Sequence, residues 1–125
     1  MTSTLAARIA AALGALAVGL GAFGAHGLKT TLAELGTTAL WEKAVFYHFI
    51  HAVMLWVVAR LEPLRRGPWF CFLAGIILFS GSLYWLALTN ARWLGAVTPF
   101  GGTAFVIGWL WLALGPSRNA TAPRS

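Results

Sequence analysis

Two histidines three residues apart, His48 and His51, stand inside an apolar run and are the side chains best suited to chemistry in this chain. On a helix that spacing puts both rings on neighbouring positions of one face. Neutral imidazoles ligate zinc, copper or haem iron, and histidine titrates near neutral pH, so it can also move a proton. A metal site needs about three or four donors. Glu42 lies six residues before His48, on a different helix face, and His26 would have to come from a loop. The single cysteine, Cys71, sits in a separate apolar run and reads as a packed thiol. No metal and no cofactor is therefore expected. Proton transfer stays open beside the plainer role of an imidazole that bonds a neighbouring helix.

The solvent around these residues follows from composition. Of 125 residues, 59% are hydrophobic and 10% charged. Soluble domains carry about 25% charged residues, and a chain this short could not bury so much apolar surface in water. Lipid is the fitting solvent. The net charge of +6 would suggest nucleic acid in a soluble protein. Here the basic residues fall in short loops between apolar runs, which is the membrane-orientation pattern, so no nucleic-acid partner is expected.

Four apolar segments position the candidate groups, at about 5–23, 40–59, 69–88 and 98–114. Each is long enough to cross a hydrocarbon core as a helix, at about 1.5 Å per residue. The expected fold is an all-α, integral-membrane four-helix bundle forming one domain over 1–115, with a disordered tail at 116–125. The first segment resembles a signal peptide in having Arg8, an apolar core and small residues at Ala22 and Gly24, but it is long for one. Ala11, Ala15 and Gly19, spaced four apart, suit close helix packing, and Ala104 and Gly108 repeat the spacing. A short interfacial helix is expected near Leu28 to Leu35. Trp41, Trp69, Trp93 and Trp111 fall near span ends, as interfacial anchors do. Arg8, Arg60, Arg65, Arg66, Arg118 and Arg124 share one side, against Lys29, Lys43 and Arg92 on the other, which puts both termini in the cytoplasm.

Several motifs run through all four segments: Gly21-Ala22-Phe23-Gly24-Ala25-His26-Gly27-Leu28, then Trp41 with Ala44-Val45, Tyr47-His48 and His51. Phe79-Ser80-Gly81-Ser82-Leu83-Tyr84 follows, then Thr98-Pro99-Phe100-Gly101-Gly102 with Gly108-Trp109 behind it. In these the chain resembles the DUF423 family of small bacterial membrane proteins, which is similar to the eukaryotic transmembrane protein 256 family. The resemblance implies a four-helix protein of the bacterial inner membrane whose first segment is retained. It supplies no activity and no functional residues.

Depth along the helices brings the polar residues into one layer. His48 lies about 10 Å and His51 about 15 Å below the non-cytoplasmic surface; Ser80, Ser82 and Tyr84 lie about 6 to 12 Å below it. Thr98 and Thr103 begin the fourth helix at that surface. The candidate binding cluster is thus His26, Glu42, Tyr47, His48, His51, Ser80, Ser82, Tyr84 and Thr103, lining a polar cavity open to the non-cytoplasmic side. The same hydroxyls and imidazoles would also serve as interhelical glue, and Glu42 could pair with Arg92. A pore- or carrier-like or ligand-binding bundle is the first function expected, alone in the bilayer or as a homo-oligomer. An accessory or assembly subunit of a larger membrane complex is the alternative. An enzyme ranks last, because nothing resembles a nucleophile–base set.

Overall fold

The computed structural model describes residues 1–115; the expected tail at 116–125 lies outside them. α1 (Ser3–Ala25) is built of Ala, Leu, Val and Gly and starts at Thr2, whose hydroxyl accepts from the Leu5 amide at 3.1 Å. A short helix, α2 (Lys29–Leu35), fills the expected interfacial stretch and ends at Gly36, which takes a left-handed φ of +69°. α3 (Thr38–Ala59) follows. α4 (Arg66–Gly75) runs through a π-helical turn, Ile76–Ser80, into α5 (Gly81–Thr89). Asn90 breaks the chain with φ of +56°, and a 3₁₀ turn, Arg92–Ala96, leads into α6 (Thr98–Leu114), with Pro99 in its first turn. Four helical stretches, Ser3–Ala25, Thr38–Ala59, Arg66–Thr89 and Arg92–Leu114, are long and apolar enough to cross a membrane. They extend the expected spans by a few residues at most ends.

α3 is the central element. α1 packs along it on one flank, and the α4–π–α5 span packs along it on another. α6 lies against α4 and the π turn, away from α1. The main core joins Ala6 and Ala10 of α1, Leu55 and Val58 of α3, Trp69, Phe72 and Ile76, and Phe105 of α6. Glycines set two of these contacts. A Cβ on Gly75 would run into the Phe105 ring, and one on Gly108 would meet Phe72 at 2.7 Å. The closest backbone approach is at Gly101, where a Cβ would collide with the backbone of Phe79 in the π turn. A π turn carries one extra residue per turn and widens the helix locally; α6 seats its first turns there.

The face that α1 turns inward differs from the expected one. Ala6, Ala10, Ala17 and Gly24 are buried, while Ala11, Ala15 and Gly19 are exposed, with open space around Gly14 and Gly19. Alanines and glycines occur on every face of α1, so spacing alone did not choose between them. Two of the expected interfacial tryptophans are also internal. Trp69 is fully buried, and Trp41 is buried with its indole N–H donating to the Leu20 carbonyl at 2.9 Å, in space left by Gly24. A large ring that fills a gap beside glycine gains more from packing than from an interfacial position. Trp93 and Trp111 remain exposed. Trp41→Phe removes the indole N–H that adds a second bond to the Leu20 carbonyl and leaves part of the ring's space empty, and is expected to cost about 1 kcal/mol in detergent unfolding.

The basic hairpin ties helix ends together. Arg65 donates to the Trp111 carbonyl in the last turn of α6 at 2.9 Å, and Arg66 donates to the Met1 carbonyl at 3.1 Å. The Arg65 guanidinium adds a bond to a carbonyl that already accepts from the Gly115 amide, and its charge suits the negative end of the α6 dipole.

Candidate functional site

α3 supplies three of the candidate residues within little more than one turn. His48 and His51 point inward and are 2% and 4% exposed, whereas Tyr47 leans outward beside them. The rest of the site is decided by which helices face the two imidazoles.

His48 faces α5. Its Nδ1 lies 2.8 Å from the Tyr84 hydroxyl, and the two rings meet edge to face at 5.9 Å. Tyr84 in turn packs edge-on against Trp41 at 4.8 Å. His48 Nε2 is buried without a hydrogen-bond partner among the described residues. One step deeper in the bundle, Ser80 donates to the Ala44 carbonyl at 2.8 Å, and so ties the π turn to α3.

His51 faces α6. Its Nδ1 lies 2.7 Å from the Tyr47 carbonyl, one helical turn back. A carbonyl only accepts, so Nδ1 carries the proton. Nε2 is then an acceptor, and the Trp109 indole N–H donates to it at 3.1 Å. Both nitrogens of His51 are thus engaged, and the ring is the neutral Nδ1–H tautomer. The imidazole stacks on Phe105 with centroids 3.6 Å apart and planes 11° from parallel. Tyr47 packs on Phe79 at 4.7 Å, and Trp109 meets Phe72 at 5.3 Å. A groove of about 590 Å³ opens along this aromatic wall, with Tyr47, His51, Phe79, Phe105 and Trp109 on one side and Pro99, Gly102 and Thr103 at the end of α6. The Tyr47 hydroxyl makes no hydrogen bond with any described residue.

The remaining candidates separate from this pair of sites. Ser82 bonds the Thr98 hydroxyl at 2.6 Å and its own helix at the Phe79 carbonyl at 3.0 Å, joining α5 to α6. Thr103 donates to the Pro99 carbonyl at 2.8 Å, a bond within its own helix, while it lines the groove. His26 caps α1 and is exposed, and Glu42 is exposed on the opposite side of α3 beside α1, not beside Arg92. The expected single cavity is therefore divided. His48, Ser80, Ser82 and Tyr84 are spent on interhelical bonds, and Tyr47, His51 and Thr103 border a groove whose walls are mostly aromatic. Three or more metal-ligating side chains do not gather anywhere among the described residues.

Trp109 is the residue that the sequence did not offer as part of the site. It lies 11 residues beyond Thr98, so about 16 Å along the helix and close to mid-membrane. Tryptophan favours the interface, and one at that depth needs a partner for its indole N–H. That displacement was the available signal.

A family model described as "Protein of unknown function (DUF423)" matches residues 20–102. A UPF0382 membrane protein of Staphylococcus epidermidis is 46% identical over 104 residues, covering 79% of this chain and 84% of the relative. The UPF0382 membrane protein YwdK of Bacillus subtilis is 47% identical over 106 residues, covering 79% and 85%. One from Staphylococcus saprophyticus is 44% identical over 105 residues, covering 80% and 86%. No solved structure matches. The matched span runs from the end of α1 through the His48 and His51 sites to Gly102, and with four membrane-length helices the chain belongs to the DUF423 family of membrane proteins.

Proposed function

We propose that this protein is a ligand-binding membrane bundle of the bacterial inner membrane, and that its ligand lies in the groove between α3 and α6. One observation carries this: a hydrogen-bonded His51–Trp109 pair and an unpartnered Tyr47 hydroxyl share an aromatic-walled groove of about 590 Å³ at hydrocarbon depth. That volume is within the range of about 300–1,000 Å³ typical of small-molecule sites, and a few polar groups in an apolar wall are their usual lining. A hydroxyl left without a partner in lipid is costly. A ligand oxygen there would satisfy it.

The lining selects the ligand's chemistry. Stacked rings favour a flat, conjugated molecule. The depth requires a lipid-soluble one. Tyr47 offers an O–H to an acceptor, and the Trp109 N–H can turn from His51 to a carbonyl. Quinones combine these properties. A polar conduit through a single copy is the weaker version of the bundle, because Phe72, Leu55, Trp69 and Phe105 fill its centre.

A short-chain quinone titrated into detergent-purified protein, followed by equilibrium dialysis, tests the assignment. Saturable binding is expected, weakened about tenfold by Tyr47→Phe through the loss of one hydrogen bond in an apolar site. His51→Leu is expected to weaken it further. Binding that is linear in quinone concentration, or unchanged in both variants, contradicts it.

Assembly with a further copy or a larger membrane complex is the second reading. It is favoured by the exposed small-residue face of α1, where Gly14 and Gly19 meet nothing within 4 Å. Gly19→Leu would break such an assembly, and an unchanged oligomeric mass in mild detergent would exclude this face from it.

A further inference from the structure

A second groove lies away from the two histidines, between the second half of α1 and the first half of α3. It holds about 880 Å³. Its walls run from Ala17 to Ala25 on α1 and from Trp41 to Ile50 on α3. Small residues shape the space: Gly21 and Ala22 line it on α1, with Val45 of α3 packed close over Gly21, and the Trp41 ring that could have filled it is drawn inward over Gly24 to reach the Leu20 carbonyl.

Length and charge say what fits. From Ala17 to Ala25 a helix rises about 12 Å, less than half of a hydrocarbon core of about 30 Å. The groove therefore belongs to one leaflet and stops short of mid-membrane. Its inner part is apolar, and its outer end carries two opposite charges: Lys29 at the start of α2 and Glu42 in the first turns of α3. Both are exposed, and neither is held by a hydrogen bond to another described residue. An apolar slot one leaflet long, with a cation and an anion at its mouth, has the layout of a zwitterionic lipid.

We infer that this groove binds a phospholipid of that leaflet bearing an ethanolamine headgroup. One acyl chain lies between α1 and α3, the phosphate sits at Lys29, and the primary ammonium sits at Glu42. The carboxylate supplies the selectivity. A primary ammonium donates charge-assisted hydrogen bonds to it. A choline headgroup has no N–H to give, and a phosphoglycerol headgroup sets a net anion beside Glu42. The site is independent of the groove at His51, which lies on the other side of α3.

Native mass spectrometry tests it directly. The protein in mild detergent is titrated with palmitoyl-oleoyl phosphatidylethanolamine, phosphatidylcholine and phosphatidylglycerol, and the first bound lipid is counted. The ethanolamine lipid is expected to bind about tenfold tighter than either of the others, the usual scale of a charge-assisted hydrogen bond in a half-exposed setting. Glu42→Gln, a substitution at an exposed residue, is expected to bring it to the level of the choline lipid. Lys29→Gln is expected to weaken all three, since all carry the phosphate. Ala22→Phe, on the exposed wall, is expected to displace the first lipid without lowering the unfolding temperature. Equal affinities of the wild type for the three lipids, or an ethanolamine preference that survives Glu42→Gln, would overturn the assignment and leave an unselective lipid-facing surface.

Discussion

Gly101→Ala is expected to destabilise the protein by about 3 kcal/mol, at the upper end of overpacking effects. The added methyl would strike the Phe79 backbone of the π turn, which, unlike a side chain, cannot swing aside. Either α6 shifts away from the α4–π–α5 span or the π turn rearranges. Both outcomes disturb Phe79 and Phe105, which wall the groove. Gly19→Ala is the control. Nothing lies within 4 Å of Gly19, and replacing glycine by alanine inside a helix gains roughly 0.5–1 kcal/mol. Equilibrium unfolding of the two variants in mixed micelles reads the difference. Equal stabilities would mean that α6 does not press on the π turn.

His48→Ala carries the second large effect, expected at about 3 kcal/mol. Part of this is the cavity left by a ring that is 2% exposed, where truncation of large buried side chains typically costs about 2–5 kcal/mol. The rest is the Tyr84 hydroxyl, which loses its partner at 2.8 Å in a part-buried site. Tyr84→Phe alone is expected to cost about 1 kcal/mol. The double variant should then be barely worse than His48→Ala, because the hydroxyl that would be orphaned is gone. A double-mutant cycle isolates this coupling. Strictly additive losses would show that His48 and Tyr84 do not share a bond.

The contrast between the two histidines explains what could be read in advance. Four spans and the short α2 were legible, because apolar length and the Gly36 stop depend on local sequence alone. That His48 and His51 need partners followed from the cost of polar groups in lipid; that they face the bundle did not, because it depends on the rotation of α3. Their partners were half legible. Tyr84 lies at the depth of His48 on an antiparallel neighbour, so counting residues offered it together with Ser80 and Ser82 but did not choose among the three. Trp109 was missed because counting residues along α6 gives depth but not rotation. Rotation is fixed by Gly75 and Gly108, which receive Phe105 and Phe72, and by the π turn between Ile76 and Ser80. Nothing in the residues Ile76-Ile77-Leu78-Phe79-Ser80 announces an extra residue per turn; the turn is met by α6 at Gly101, far along the chain. The face of α1 was illegible for a related reason, since alanines and glycines occur all around it and the choice is made by α3, through Leu55 and Val58 at one end and Val45 and Trp41 at the other.

Those contacts also separate structural from functional polarity. Ser80, Ser82 and Tyr84 have their hydrogen bonds made by the fold, as does His48 at Nδ1. Tyr47 does not, and His51 and Trp109 spend on each other bonds that a ligand oxygen could take. The groove between α3 and α6 is where chemistry supplied from outside the chain has something to gain.

The most direct measurement is of the Trp109 indole itself. In protein labelled with ¹⁵N-tryptophan, the Nε1–H resonance of Trp109, assigned by its loss in Trp109→Phe, is followed while a short-chain quinone is added. A ligand in the groove predicts a saturable shift of this resonance among the seven tryptophans, abolished in Tyr47→Phe/His51→Leu protein. A resonance that stays fixed at saturating quinone, or that moves in step with the exposed Trp93 and Trp111, would contradict it.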